Sequence, residues 1–330
     1  MRFLGKTGVK VSRVALGAMS FGGDADEHMA GQIWRAAREA GINFIDTADV
    51  YNEGRSEEFI GRILRASGER DEIVLATKAY FPTGKDANAR GTSRYHLVRA
   101  VEASLRRLQT DRIDLFYLHR FDDATDLTQT LRALEDLVRA GKIVYPACSN
   151  FAAWQVAQAL GIAALEGFAP LVAIQPMYNL VKRTAEIEIL PMAQSLGIAV
   201  VPYSPTGGGL LTGKYGVSTR PEKGRLIDVK MYNTRYSQPE LFAIAERFTH
   251  LANELGHAPT TLAAAWVASH PAVTSVLVGG RNVEQLAPSF AANQLELDAE
   301  TRAKISALSP EPPPATDRNE EKTAHNYGSR

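Results

Sequence analysis

Cysteine is nearly missing from this chain of 330 residues: Cys148 stands alone. No intrachain disulfide can form, so the fold must be held by burial, and a reducing compartment suits it. An excess of one charge is missing too. Lys and Arg total 37, Asp and Glu total 37, and the formal net charge is zero. That argues against a broad basic footprint, so neither nucleic acid nor an anionic membrane surface is expected as a partner. No apolar run reaches the length of a membrane span. The opening residues MRFLGKTGVKVS lack the apolar stretch of a signal peptide, and a cytoplasmic location is the expectation. The seven His residues show no metal-ligand spacing, and no metal is expected.

What is present is an apolar content of 45%, enough for a large single core. No composition shift marks a linker before residue 309, so residues 1–308 are expected to form one domain. Short apolar runs recur at 13–19, 43–48, 73–78, 113–119, 144–150, 171–178, 199–205 and 275–280, and these are the expected strands. Helical patterns lie between them, for example at 26–40, 55–66, 93–108, 127–140 and 152–165. Ser93 is a candidate N-cap, and Gly41 and Gly141 are placed where helices end. Runs of Val, Ile and Leu without polar alternation indicate parallel strands buried on both faces. Eight such units point to an α/β fold, the (β/α)8 TIM barrel. An open doubly wound sheet explains the alternation equally well. It would want G-x-G-x-x-G after its first strand, and ALGAMSFGG lacks that spacing.

Three segments stand outside the repeat. RFLGKTGVKVS reads as an N-terminal β-hairpin turning at Lys6, Thr7 and Gly8. Residues 206–238 form a long Gly-rich and polar loop after strand seven, and a long loop in a compact domain is usually functional. Residues 309–330 open with Pro310 and the run Pro312, Pro313, Pro314, which cannot continue a helix. This tail is read either as flexible or as a flap over the active-site mouth.

In a barrel the active site lies at the C-terminal ends of the strands. Asp46, Lys78 and His119 fall at the ends of strands two, three and four, and Tyr51 lies in the loop after strand two. An acid, a phenol, an amine and an imidazole at one end of successive strands suit general acid-base catalysis. Alone, Asp46 and Lys78 would read equally well as a buried ion pair.

The segments GINFIDTADVYNEG, EIVLATK and RIDLFYLH that carry these residues closely resemble the aldo-keto reductases, including the branch similar to potassium-channel β subunits. The resemblance covers nearly the whole chain. It implies that the hairpin plugs the barrel floor and that Asp46, Tyr51, Lys78 and His119 are the catalytic residues. Tyr51 would be the proton donor, Lys78 would lower its pKa, Asp46 would hold Lys78 charged, and His119 would orient the carbonyl or share in proton transfer.

The same resemblance assigns a cofactor, NADP, with NAD possible. ACSNF places Ser149 and Asn150 where the family binds the nicotinamide carboxamide, with Gln175 as third partner; Ser149 or Asn150 could instead cap the following helix. Tyr203 in VPYSP falls where the family stacks an aromatic ring, although a core aromatic fits as well. Ser204, Pro205, Gly209 and Leu210 continue this wall. The run Gly207, Gly208, Gly209 would allow backbone approach to a pyrophosphate, with Lys214 near the phosphates. Gly280, Arg281 and Gln285 follow strand eight, and Arg281 could meet a ribose 2′-phosphate. Pro288 and Ser289 depart from the family's acidic residue and Asn at the adenine.

Phe21, Tyr80, Phe81 and Arg120 follow strands one, three and four and are candidates for the substrate pocket. Cys148, Trp34, Trp154 and Trp266 read as packing residues. The leading function is reduction of an aldehyde or ketone to an alcohol, reversibly, with a small carbonyl or alcohol as substrate and a homo-oligomer possible. The alternatives are a cofactor-binding redox sensor or partner subunit with little turnover, and a barrel isomerase or hydrolase, which would not need Tyr203 or the nicotinamide-binding residues.

Overall fold

A computed structural model describes residues 1–315. The chain first makes a two-stranded antiparallel hairpin, β1 (Arg2–Phe3) and β2 (Lys10–Val11). Eight parallel strands follow: β3 (Val14–Gly17), β4 (Phe44–Asp46), β5 (Val74–Ala79), β6 (Ile113–Leu118), β7 (Ile143–Ser149), β8 (Ala173–Gln175), β9 (Ala199–Val200) and β10 (Val276–Val278). Their order is β10-β3-β4-β5-β6-β7-β8-β9. The ends of this sheet meet where Thr274 N donates to Val200 O at 2.8 Å and Leu277 N to Pro202 O at 2.9 Å. The result is the (β/α)8 barrel that the alternation predicts.

The interior is filled from every strand and from the hairpin. Leu4 and Val11, both 0% exposed, pack with Ala15, Phe44, Ala76, Leu115, Tyr117, Ala147, Ala173, Ala199 and Val201. Burying each of the two hairpin side chains contributes about 1.5–3 kcal/mol, which holds the plug in the floor. A second apolar layer joins the sheet to the helices, with Trp266 and Trp34 inside it. Trp154 differs from its sequence reading. It is 62% exposed on helix Ala153–Glu166 and leans on Phe121, ring centroids 6.1 Å apart.

Helix boundaries follow capping chemistry. Ser93 accepts from His96 N, and Asp26 and Asp126 do the same for helices Glu27–Glu39 and Leu127–Arg139. Gly41 and Gly141 take φ of 75° and 69° just past helix ends, a left-handed geometry that favours glycine. Strands β8 and β9 are shorter than the apolar runs at 171–178 and 199–205. Pro176 and Pro202 have no N–H to donate to a ladder, so regular pairing stops at them.

The 206–238 segment is not structureless. It holds a tight turn at Gly207–Gly209 and the helices Arg225–Asp228 and Lys230–Tyr236. Tyr236 is fully buried and Tyr232 is 8% exposed, so the segment is seated on the barrel as a lid. Residues 316–330, which include most of the tail read as flexible or as a flap, lie outside the described residues. The last described helix, Ala299–Ser306, is tied down by Arg183 Nη1, which donates to Ser306 O at 3.1 Å and to Ser309 O at 3.3 Å. Among the described residues no helix is long and apolar enough to cross a membrane.

Candidate active site

Parallel strands deliver their last residues to one rim. Asp46 ends β4, Lys78 lies one residue before the end of β5, and His119 follows β6 with its N–H donating to Ala79 O at 3.0 Å. Asp46, Lys78 and His119 are 1%, 0% and 9% exposed. Lys78 Nζ donates to Asp46 Oδ1 and, at 2.7 Å, to Thr47 O. The second Asp46 oxygen accepts from Gln175 Nε2 at 2.9 Å. Every strong partner of the ammonium is thus an oxygen of β4 or of the residue after it.

Tyr51 arrives by a strained route. It opens the turn Tyr51–Gly54, in which Asn52 and Glu53 adopt φ of 50° and 61°. Left-handed backbone costs roughly 1–2 kcal/mol at each such residue. Asn52 offsets part of this by donating Nδ2 to Met19 O at 2.8 Å and to Phe21 O at 2.7 Å, which fastens the turn to the loop after β3. The Tyr51 ring then lies 5.3 Å from Lys78 Nζ and 5.9 Å from the His119 ring. Phe81 closes the other side of His119, ring centroids 4.9 Å apart.

Burial dominates the titration of this group. It pushes Asp46 up and Lys78 down from their ordinary values, and each charge opposes the other's shift. Burial also holds the Tyr51 phenol well above its usual range, and the Asp46 charge adds to this. Burial and the Asp46 charge thus outweigh any lowering of Tyr51 by the Lys78 ammonium. Tyr51 keeps its proton at neutral pH, as a donor must. Burial, helped by Lys78, lowers His119 to about 3, so it is a neutral imidazole; its Nδ1 is buried without a partner.

Beside this group runs a cleft of about 530 Å³. Asp46, Tyr51, His119, Ser149, Asn150, Gln175, Tyr203, Ser204, Pro205 and Gly280 line it, with Phe81 and Arg120 from the candidate substrate pocket. Ser149 Oγ donates to Gln175 O at 2.8 Å, Asn150 Nδ2 to His119 O at 3.0 Å, and Tyr203 Oη to Asn150 Oδ1 at 2.8 Å. Asn150 and Ser204 hold φ of 58° and 62°, so this wall carries backbone strain as well. Hydroxyl and amide groups beside a tyrosine ring provide the donors, acceptors and flat surface that a nicotinamide carboxamide and ring require.

Other expected residues are placed elsewhere. Phe21 turns inward and is 0% exposed in the core, and Tyr80 stands behind Phe81, ring centroids 5.3 Å apart. Leu210 is fully buried, while Gly209, Lys214, Arg281 and Gln285 do not line the cleft. Arg281 is exposed beside the helix Val283–Ala291, where Asn282 is the N-cap and Gln285 Oε1 accepts from Arg281 N at 3.2 Å. Ser289, read as a departure at the adenine, lines the cleft, and several wall residues escaped the sequence reading: Met19, Arg225, Met231, Tyr232 and Arg235. Four of them come from the lid. The segment KMYNTRY, with Tyr232 and Arg235 three apart on one helical turn, was the available signal.

A parallel barrel with buried acid-base groups at its strand ends, beside a slot of hydroxyls and amides, has the architecture of a nicotinamide-dependent oxidoreductase. A model of the aldo/keto reductase family matches residues 13–310, and the chain belongs to that family. It is 39% identical over 322 residues to a Bacillus subtilis (strain 168) protein named uncharacterized oxidoreductase YrpG, covering 94% of this chain and 96% of that one. It is 37% identical over 289 residues to a probable voltage-gated potassium channel subunit beta of Arabidopsis thaliana, covering 86% and 88%. A protein of the same description from Oryza sativa subsp. japonica is 35% identical over 295 residues, covering 88% and 89%. Membership makes this chain an NAD(P)H-dependent oxidoreductase of a family that reduces small carbonyl compounds.

Proposed function

We propose that the chain reduces an aldehyde or ketone to an alcohol, reversibly, with NADPH, and that Tyr51 is the proton donor. The observation that carries this reading is the continuous chain of contacts from Lys78 through Asp46 to Gln175, which couples the acid-base group to the nicotinamide slot. Ser149, Asn150 and Gln175 would hold the carboxamide and Tyr203 would stack on the ring. A bound nicotinamide supplies the hydride. His119, being neutral, orients the carbonyl by a hydrogen bond from the side of its ring that lines the cleft rather than by charge. Tyr51 gives its proton to the oxygen on which negative charge builds, and Lys78 sits close enough to its ring to stabilise the phenolate left behind. The buried, water-poor rim strengthens each of these interactions.

A second reading is favoured by the similarity to proteins named potassium channel β subunits. On it the site binds cofactor and turns over slowly. One experiment separates the two: NADPH oxidation against a panel of carbonyl compounds, with wild type and Tyr51→Phe. The enzyme reading expects turnover on at least one compound, reduced about a hundredfold or more in Tyr51→Phe with NADPH affinity nearly intact. Equal turnover in the two proteins, with chemistry rate-limiting, would refute Tyr51 as donor. NADPH binding without turnover on any compound would favour the sensor.

A further inference from the structure

We propose that Asp49, buried between Asp46 and Tyr51 with both carboxyl oxygens unpartnered and its backbone bonded to Lys78, is a positioning residue whose charge tunes Tyr51 as a proton donor. The proposal rests on the reading of Tyr51 as proton donor. Asp49 lies between Asp46 and Tyr51 in sequence, is 3% exposed, and has neither carboxyl oxygen in a hydrogen bond. The neighbouring Val50 amide acts on it electrostatically without forming a well-aligned bond. The other buried carboxylates among the described residues are all served. Asp46 has Lys78 and Gln175, Glu57 has Thr77 and Arg107, and Glu135 has Arg139 and the Ala169 amide.

The charged groups around Asp49 explain why it is left out. Arg107, from helix Arg94–Leu108, donates Nε to Glu57 Oε2 at 2.7 Å. Lys78, from β5, is spent on Asp46 and the Thr47 carbonyl. Glu57, from helix Arg55–Ser67, brings a second negative charge that opposes ionisation of Asp49. The Asp49 backbone is nevertheless fixed to the catalytic strand, its N–H donating to Lys78 O at 3.0 Å. Burial first, then Glu57, raises the Asp49 carboxyl to about 8, with Arg107 and Lys78 opposing. Burial and the Asp46 charge do most to hold up the Tyr51 phenol, and a negative Asp49 adds to them by further disfavouring its anion. Proton donation therefore becomes harder once Asp49 ionises.

The direct test is a ¹³C-carboxyl titration of the cofactor-free full chain, with Asp49→Asn to assign the signal. A carboxyl titrating near pH 8 and missing from the variant is expected. A signal already ionised at pH 6 overturns the proposal, whether or not the protein reduces carbonyls. The kinetic test compares kcat/KM for reduction between pH 7 and pH 9. Wild type should fall to a lower plateau as Asp49 ionises, and Asp49→Asn should show a visibly smaller fall, because a charge that holds the phenol up weakens it as a general acid. An alkaline limb identical in both proteins overturns the positioning role even if the titration succeeds. Loss of activity at all pH values in Tyr51→Phe but not in wild type keeps the donor assignment separate from this result. Linkage gives a further readout. The folded chain holds the Asp49 proton over the interval from the ordinary carboxylate range to about pH 8, where the unfolded chain has lost it, so stability falls as pH rises through that window. Asp49→Asn should remove that slope.

Discussion

Along β4, β5 and β6 the reacting side chains are buried and tied to barrel backbone, whereas the lid at 206–238 is seated by packed side chains, Leu210, Leu211, Tyr215, Leu226, Tyr232 and Tyr236, and offers half-buried arginines to the cleft. Lys78 has no exposure and its ammonium is bonded to two oxygens of the adjacent strand and its end. Arg225 and Arg235 instead lie over the Tyr232 ring, 5.1 and 5.7 Å from its centroid. The difference separates two demands. Acid-base groups must keep their geometry within a fraction of an ångström, which rigid strands supply. A dinucleotide must enter and leave, which a lid held by side-chain packing rather than by a strand ladder permits.

Cutting the rigid side should have the largest effect. Lys78→Met strands Asp46 with only Gln175 as partner in a fully buried site. Removing one member of a buried pair costs about 3–5 kcal/mol. Urea unfolding at pH 7 should show a loss of that order, together with loss of turnover. The loss should shrink as pH falls, because a carboxyl raised by burial can take a proton and become neutral. A variant as stable as wild type at pH 8 would show that the pair is not what fixes this rim.

The next effect lies on the cofactor side. Arg281→Ala should weaken NADPH by about 1.5–3 kcal/mol and leave NADH nearly unchanged, the cost of one charge-assisted phosphate contact. Arg225→Ala, in the lid, should weaken both cofactors alike, since a pyrophosphate is common to them. Fluorescence titration of each cofactor into each variant decides it. Equal losses of NADPH and NADH in Arg281→Ala would remove Arg281 from the 2′-phosphate. A selective loss in Arg225→Ala would move that role to the lid.

The same division explains what could be read in advance. The barrel, its strand ends and the placing of Asp46, Lys78 and His119 follow from apolar runs that are local in sequence and from a register that parallel pairing enforces. Ser149, Asn150, Gln175 and Tyr203 were legible as a set only through family resemblance, and the structure brings them together on one wall. Side-chain direction was the weak point. Phe21 and Trp154 follow helix and strand ends as plausibly as Phe81 does, yet one turns into the core and the other out to solvent. The proline-shortened β8 and β9 show why apolar runs overstate strand length. The two short helices inside the long loop were not read in advance, because they are seated by contacts such as that between Tyr232 and Gly208, which no periodicity encodes.

That contact yields the smallest and most specific test. Gly208 has φ of 67°, and a Cβ placed on it would lie 2.7 Å from Tyr232 Cδ1 and 3.3 Å from Tyr236 Cε2. The glycine run therefore seats the lid as well as leaving room beside the cleft. Tyr236 continues the anchor: Asn179 Nδ2 donates to its hydroxyl at 3.2 Å and to Ser204 O at 2.9 Å, which joins the lid to the backbone next to Tyr203. Gly208→Ala combines left-handed strain of roughly 1–2 kcal/mol with a clash against a ring that can tilt away. The barrel core is untouched, so global unfolding should change little. Amides of 225–236 should lose about tenfold in hydrogen-exchange protection, since about 1.4 kcal/mol of local opening is a factor of ten. NADPH should dissociate faster, and saturating NADPH should restore part of the protection, as expected of a lid that the cofactor completes. Unchanged exchange across 225–236 would mean that the tyrosines do not hold the lid down. Equal loosening of 74–79, on β5, would mean that lid and barrel are one cooperative unit, and the contrast between them would be lost.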